Sequence, residues 1–364
     1  MQDSADNRTL SEKIETDLRN KLESGWLSPH SKFPAESAIA EQFGVTRMTA
    51  RKAILNLIDA GLLYRIAGKG TFAADPKEAG SARPRSQTKT IAMVVPSLTL
   101  SVYNQIIAEV LGAMEGQGYD TVLRTTNDNP LNERKCLETL GSDKFDGAIL
   151  LGVLAIQSNM DVLQDLCSRM PVAIMDEPPA DLNADFVYND DVQGAFQATS
   201  HLAELGHKKI AHLAAVQDRL QGYKQALERH GLEYDEDIVR STHWKMSEGY
   251  SETTKLMLNH KDVTAIFAAN DILAVGAYQA LCSLSLSVPD DVALVGYGDL
   301  DLSALLGVKL TTMNQNPRAM GDKAAELLLE KLTGARPVSD RRNVIIPTRM
   351  VTRESCGILN PRTR

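Results

Sequence analysis

At 364 residues the chain is longer than one hydrophobic core ordinarily serves, so two or three compact units are expected. Its 43% hydrophobic and 24% charged residues are those of a globular protein, and with no apolar run approaching about 18 residues they exclude a disordered chain and a membrane-spanning helix. The net charge of −8 is unevenly spread: residues 1–89 hold 14 Lys and Arg against 11 Asp and Glu, leaving 25 against 36 elsewhere, so any surface for a polyanion is confined to the N-terminal quarter.

The chain opens polar and acidic, MQDSADNRTLSEKIETD, without the basic start and apolar stretch of a secretory leader, so a cytoplasmic location is expected. Residues 9–75 read as a small helical unit closed by a hairpin. Ile14, Leu18 and Leu22 share one face of a helix over 11–24. The next helix is predicted to begin at Pro34, suited to a first turn, and to run through Ala38, Ile39 and Phe43 to Gly44, a natural left-handed stop. After the turn Gly44-Val45-Thr46 a third helix opens with Thr46 as its N-cap. Its apolar stripe is Ala50, Ala53, Ile54, Leu57 and Ile58, and its opposite ridge holds Arg47, Met48, Thr49, Arg51 and Lys52. Such a helix packs by one face and offers cations on its first turns, where a recognition helix enters the major groove and Arg bonds guanine. A cationic ridge can equally do no more than solvate a helix. The hairpin that follows favours contact: Gly61–Ile66 and Ala67–Phe72 read as two strands around a Gly68-Lys69-Gly70 tip, a wing able to meet a phosphate or the minor groove.

The stretch FPAESAIAEQFGVTRMTARKAILNLIDAGLLYRIAGKGTF resembles the GntR-type winged helix-turn-helix over nearly its whole length. The marks are Phe33-Pro34-Ala35-Glu36, Gly44-Val45-Thr46-Arg47, Thr49, Arg51, Gly61-Leu62-Leu63 and Gly68-Lys69-Gly70-Thr71-Phe72. The resemblance implies that Arg47 and Arg51 read bases or adjacent phosphates and that Gly68 and Lys69 serve the wing. Ser37 stands where some relatives carry Arg.

Residues 76–89, PKEAGSARPRSQTK, read as a flexible basic linker, dividing the chain into units 1–75 and 90–364. From Thr90 onward short apolar runs recur at 90–95, 120–124, 146–151, 171–175, 209–213, 264–268 and 291–297. Helical segments such as 103–117, 190–205, 217–230, 270–284 and 316–332 lie between most of them. Continuous apolar strands alternating with helices predict an α/β fold, here two doubly wound lobes of parallel sheet whose ligand lies beyond the carboxyl ends of the strands.

Candidate ligand residues follow from those strand ends. Arg219 stands three residues before Gly222 at a helix start, where an arginine also serves as a helix-end ion pair. Asn270-Asp271 directly follows an apolar strand; Asp271 suits an N-cap and Asn270 is better placed to face a ligand. Trp244 follows a strand near Val239 and either stacks on a pyranose or base or joins the core. Asp176 and Asp299 are carboxylates at strand termini suited to hydroxyl groups, and Gln315 opens a return segment from which a side chain reaches both lobes. Arg219-Leu-Gln-Gly-Tyr, Phe267-Ala-Ala-Asn-Asp, Val288-Pro-Asp-Asp-Val-Ala-Leu-Val-Gly-Tyr and Leu310-Thr-Thr-Met-Asn-Gln together resemble the LacI/GalR regulator core, related to periplasmic sugar-binding proteins. That resemblance implies ligand contacts from Leu100, Val102, Tyr103, Asp176, Arg219, Trp244, Asn270 and Gln315. The family usually has Asp straight after its Gly-Tyr pair, whereas this chain has Gly298 there and Asp299 next. A GntR-like head on a LacI/GalR-like body is the arrangement of the arabinose-repressor subgroup.

The expected function is a sequence-specific DNA-binding transcriptional regulator: a homodimeric repressor on double-stranded operator DNA, released by a sugar-like effector. A ligand-dependent activator is the nearest alternative, and a solute-binding protein a more distant one. No nucleophile–base motif, phosphate loop or metal-ligand spacing is visible among seven scattered His and the isolated Cys136, Cys167, Cys282 and Cys356, so neither catalysis nor a cofactor is expected, and no membrane partner.

Overall fold

The computed structural model describes residues 10–59, 62–66, 70–74, 88–98, 102–140, 144–152, 158–175, 178–179, 182, 184–304 and 306–357. Two units separate along the chain, Met1–Gln87 and Thr88–Arg364. The first contains helices α1 (Leu10–Glu23), α2 (Glu36–Phe43) and α3 (Arg47–Asp59) and the antiparallel pair β1 (Leu63–Ile66) and β2 (Gly70–Ala73). Ile14, Leu18 and Leu22 of α1 meet Ile39 and Ala40 of α2 and Ala50, Ala53, Ile54 and Leu57 of α3 in one core, closed by Phe33 and Leu63. Each buried Leu or Ile contributes roughly 1.5–3 kcal/mol. Gly44 takes φ 62° and ψ 35°, and its N–H closes α2 on Ala40 and Glu41. The expected start of α2 at Pro34 is corrected to Glu36. Residues 31–33 run alongside β2, with Phe33 N donating to Thr71 O at 2.8 Å and the turn residue His30 donating its N–H to Ala73 O at 2.8 Å, and Ala35 is extended at ψ 153°.

The second unit is built on two six-stranded sheets. In the first, β3 (Thr90–Val95), β4 (Asp120–Thr125), β5 (Gly147–Leu151), β6 (Val172–Met175), β7 (Asp185–Asn189) and β13 (Asn343–Ile346) are parallel, in the order β13-β7-β6-β5-β3-β4. In the second, β8 (Ile210–Ala214), β9 (Val239–Ser241), β10 (Ala265–Ala268), β11 (Ala293–Gly298) and β12 (Thr311–Asn314) are parallel and β14 (Arg349–Val351) antiparallel, in the order β14-β12-β11-β10-β8-β9. Helices α4 (Val102–Glu115), α5 (Pro130–Leu140) and α6 (Met160–Arg169) follow strands of the first sheet; α7 (Asp191–Glu204), α8 (Gln217–Arg229), α9 (Met246–Asn259), α10 (Asp271–Ser283) and α11 (Pro317–Leu332) complete the unit. Strand β3 shows why the apolar runs were continuous: Ile91, Met93 and Val95 enter the core on one face of the sheet, Ala92 and Val94 the core on the other.

The chain crosses between the lobes three times. It leaves β7 for α7, whose Ala195, Ala198 and Leu202 pack on the second sheet. It leaves β12 for α11, whose Met320, Ala324 and Leu328 pack on the first, and it passes from β13 to β14. Asn189 fastens the crossings together: its Nδ2 donates to Gln315 O at 3.0 Å and to Ile346 O at 2.9 Å. Beneath it, the fully buried Asp185 accepts from Arg336 and Arg342 N and lies 3.1 Å from Lys331 Nζ, tying β7 to α11 and to the approach to β13. Among the described residues no helix is long and apolar enough to cross a membrane.

Candidate nucleic-acid interface and ligand cleft

In the first unit Thr46 caps α3, its Oγ1 accepting from Thr49 N at 3.3 Å and lying 2.9 Å from Thr49 Oγ1. Capping sets the phase of the helix, so Ala50, Ala53, Ile54 and Leu57 turn inward with Ile58 partly buried beside them, while Arg47, Met48, Arg51 and Lys52 are exposed. Arg47 is 74% exposed and its Nε donates to Glu36 Oε2 at 3.2 Å. An ion pair so open to water is worth about 0–1 kcal/mol, so a DNA phosphate or base can displace it at small cost. The wing strands are braced by Tyr64 stacked on Phe72 at 5.6 Å and by His30 Nδ1 lying 3.0 Å from the Tyr64 hydroxyl. Gly68 and Lys69, expected at the wing tip, lie outside the described residues.

In the second unit Trp244 and Tyr103 lie near Arg219, on the first turn of α8. A methyl on Gly222 would overlap Val192 O and stand 2.8 Å from Phe196 N, so only glycine lets α8 approach α7 this closely. That approach sets Arg219 against Asp191, the first residue of α7: Arg219 Nε donates to Asp191 Oδ2 at 3.0 Å, and a guanidinium N–H bonds Ala269 O. Asp191 Oδ1 accepts the Tyr297 hydroxyl at 2.7 Å. The guanidinium is flanked by the Tyr297 ring at 3.8 Å and the Trp244 ring at 5.7 Å, with Trp244 itself 47% exposed. Burial opposes the charge of Arg219, but Asp191 and the nearby Tyr297 and Tyr103 hold its pKa above the ordinary arginine value. Burial, reinforced by Asp191, keeps the Tyr297 phenol well above the usual range. Behind them His212 is stacked between Tyr223 and Phe267, its Nδ1 bonded to Phe267 O; burial, together with the charge of Arg219, brings its pKa down to about 4.

Tyr103 begins α4 beside Val102, both partly buried, and its hydroxyl lies against Gly152. Leu100 and Asp176 lie outside the described residues. The cap expected at Asp271 falls one residue earlier, on Asn270. Asn270, extended at φ −150° and ψ 170°, is the cap of α10, accepting from Leu273 N at 2.7 Å; its amide nitrogen bonds no described residue. Asp271 is buried in structural bonds, accepting from Leu300 N at 2.8 Å and Thr312 Oγ1 at 2.6 Å. At the departure after β11, Gly298 takes φ +130°, a conformation that L side chains rarely adopt. Asp299, displaced one place, has Oδ1 on Arg353 at 2.6 Å and Oδ2 on Asn314 at 2.7 Å, so its carboxylate is bonded within its own lobe. Gln315 lies at the second crossing, its Nε2 donating to Asn189 Oδ1 at 3.2 Å. Sequence reasoning alone does not single out Asp191, Tyr297 or Asn189. Asp191 gave a signal only as an acid opening a helix, which ordinarily means a cap.

Two family models match the chain. Residues 10–73 match "Bacterial regulatory proteins, gntR family", and residues 199–356 match "Periplasmic binding protein-like domain". The arabinose metabolism transcriptional repressor of Halalkalibacterium halodurans is 28% identical over 356 residues, covering 94% of this chain and 95% of the relative. The ribose operon repressor of Escherichia coli is 31% identical over 254 residues, 68% of this chain and 77% of the relative. A solved complex of the transcriptional regulator CelR with cellobiose superposes with a TM-score of 0.68 at 26% identity, covering 89% of this chain and all of that one.

Proposed function

The chain belongs to the LacI-type transcriptional regulators that include the ribose operon repressor, and it carries a gntR-family head; from that premise we propose that it represses transcription as a homodimer on a two-fold-symmetric operator and releases the DNA when a sugar-like effector binds the second unit. The observation that carries the reading is α3 itself, which buries its apolar stripe and leaves Arg47, Met48, Arg51 and Lys52 open on its first turns. Arg47 and Arg51 read base edges or adjacent phosphates, Thr46, Thr49 and Lys52 position the helix on the backbone, and Gly68 and Lys69 supply the wing contact. The sequence boundaries 1–75, 76–89 and 90–364 then correspond to head, tether and effector unit.

The effector is gripped from both lobes. Leu100, Val102, Tyr103 and Asp176 act from the first, Arg219, Trp244 and Asn270 from the second, and Gln315 from the crossing. Asp299 acts indirectly by holding Asn314. A sugar fits the exposed Trp244 face, and similar proteins are named for arabinose and ribose or hold cellobiose. Closure of the lobes about the three crossings alters how the paired heads meet DNA. Release requires the effector to prefer the closed state, and a preference of about 10⁴ swings the population fully.

The test is selection of random duplexes by the full-length protein, followed by titration with arabinose, ribose and cellobiose. Enrichment of a symmetric consensus, released by one of these sugars, is the expected result. Absence of any consensus would remove the operator reading, and tighter binding on sugar addition would remove induction.

A further inference from the structure

Resting on the reading of the second unit as an effector site, we propose that this site selects an uncharged polyhydroxy ligand, and that Asp191 sets the preference by neutralising Arg219 before any ligand arrives. A buried guanidinium is the natural receptor for phosphate or carboxylate, which it binds bidentately through its paired N–H groups. Here that pairing is already used. Asp191 Oδ2 lies 3.0 Å from both Nε and Nη2 of Arg219, and Ala269 O takes an N–H of Nη1. Tyr297 fixes the other carboxylate oxygen by donating its hydroxyl at 2.7 Å, so Asp191 cannot turn away without giving up that bond as well.

Arginine carries five N–H donors, so some remain for a ligand. What remains is hydrogen-bonding capacity without unmatched charge, which suits a hydroxyl. A phosphate ester in the same place would meet the Asp191 carboxylate as a like charge. The arrangement is repeated at the end of β11, where Arg353 is matched by Asp299 at 2.6 Å. The surroundings act in the same sense, since residues 90–364 hold 25 Lys and Arg against 36 Asp and Glu. An asparagine at position 191 would keep an oxygen for Tyr297 and leave Arg219 uncompensated, so the selectivity resides in one carboxylate.

Calorimetric titration of the full-length protein decides this with two sets of probes: L-arabinose, D-ribose, D-glucose and cellobiose against D-ribose 5-phosphate and D-glucose 6-phosphate. The tightest probe should be uncharged, with the phosphate esters weaker by at least about tenfold, the size of one charge-assisted hydrogen bond. Asp191→Asn should weaken the neutral probe and narrow the neutral-to-phosphate ratio by about tenfold or more, while Tyr297→Phe, which keeps the carboxylate, should leave the ratio within about threefold. A phosphate ester as the tightest wild-type ligand overturns the proposal while leaving a sugar-effector site intact. A cooperatively folded Asp191→Asn protein with the wild-type ratio overturns the role of Asp191. If no probe of either kind binds, the sugar-effector reading itself falls and the proposal with it. Should Asp191→Asn fail to fold, the wild-type comparison still decides.

Discussion

Asn189 and Gln315 bond each other twice, the Asn189 amide donating to the Gln315 carbonyl at 3.0 Å while its oxygen lies 3.2 Å from the Gln315 side-chain nitrogen. With the further bond to Ile346 O, one side chain therefore joins all three crossings between the lobes. Asn189→Ala removes these bonds at once. With a net worth of about 0.5–1.5 kcal/mol for each of the three, the second unit should lose about 1.5–4.5 kcal/mol in chemical denaturation. Because Gln315 loses its support too, affinity for the effector should fall in the same protein. Unchanged stability and affinity would show that the crossings are held by packing alone.

On the DNA side, removing Arg47 should cost about 1–3 kcal/mol in operator binding and relax the preference at one base position, because a base contact carries sequence information. Lys52→Ala should instead weaken all duplexes alike and lower the salt slope of binding by about 1. Anisotropy titrations at several salt concentrations separate the two. If Arg47→Ala binds as tightly and selectively as wild type, α3 is not the reading helix.

Asp185 has no exposed surface and faces Arg336 and Lys331 together. Asp185→Ala leaves the buried Lys331 without its counter-charge and Arg336 with only Glu330 and Asp340, which should cost about 3–5 kcal/mol in urea unfolding. The Asp185 bonds hold α11 and Arg336 against Glu330 as well, so the loss should be felt across the first lobe. A loss below about 1 kcal/mol would mean that water reaches the cluster.

How far the molecule could be read from its residues depended on whether a signal was local. Strands such as β3, β5 and β10 are buried on both faces, and their apolar runs were plain. Strands β7, β13, β12 and β14, with sequences DFVYN, NVII, TTMN and RMV, are short and mixed, and they become strands because crossing segments bring them to a sheet edge or gap. At the site, Arg219 and Trp244 announced themselves as residue types in unusual places. Asp191 did not, because its partners lie 28 and 106 residues away. The cap falls on Asn270 rather than Asp271 because the helix start is displaced by one residue, which periodicity does not resolve.

Stability should depend on pH through His212. Its folded pKa is about 4 against 6.5 ordinarily, so between these values the unfolded chain binds a proton that the folded one does not. Stability is therefore full above about 6.5, declines as pH falls through the window, and levels off below about 4, a total of roughly 3 kcal/mol from this group. His201 and His207, lowered chiefly by burial, act in the same direction. Denaturant midpoints at pH 7 and 5 should differ more for wild type than for His212→Gln. Equal differences would place the sensitivity elsewhere.

Gly222 offers the sharpest test of how the fold makes the site, because a single methyl separates the two. It would overlap Val192 O, and since that atom is backbone in the first turn of α7, relief requires the helices to part. Overpacking of this kind costs about 1–3 kcal/mol. The same displacement withdraws Arg219 from Asp191 and from the Tyr297 ring, whose contacts depend on α8 lying where it does. Gly222→Ala should accordingly retain a cooperative but lower melt, lose about tenfold or more in effector affinity, and bind operator DNA that sugar no longer releases. Head and effector unit would then be uncoupled by a change that touches neither ligand. A variant that folds, binds sugar with wild-type affinity and responds normally would show that α8 can shift without cost, and that the close α7–α8 approach is not what positions Arg219.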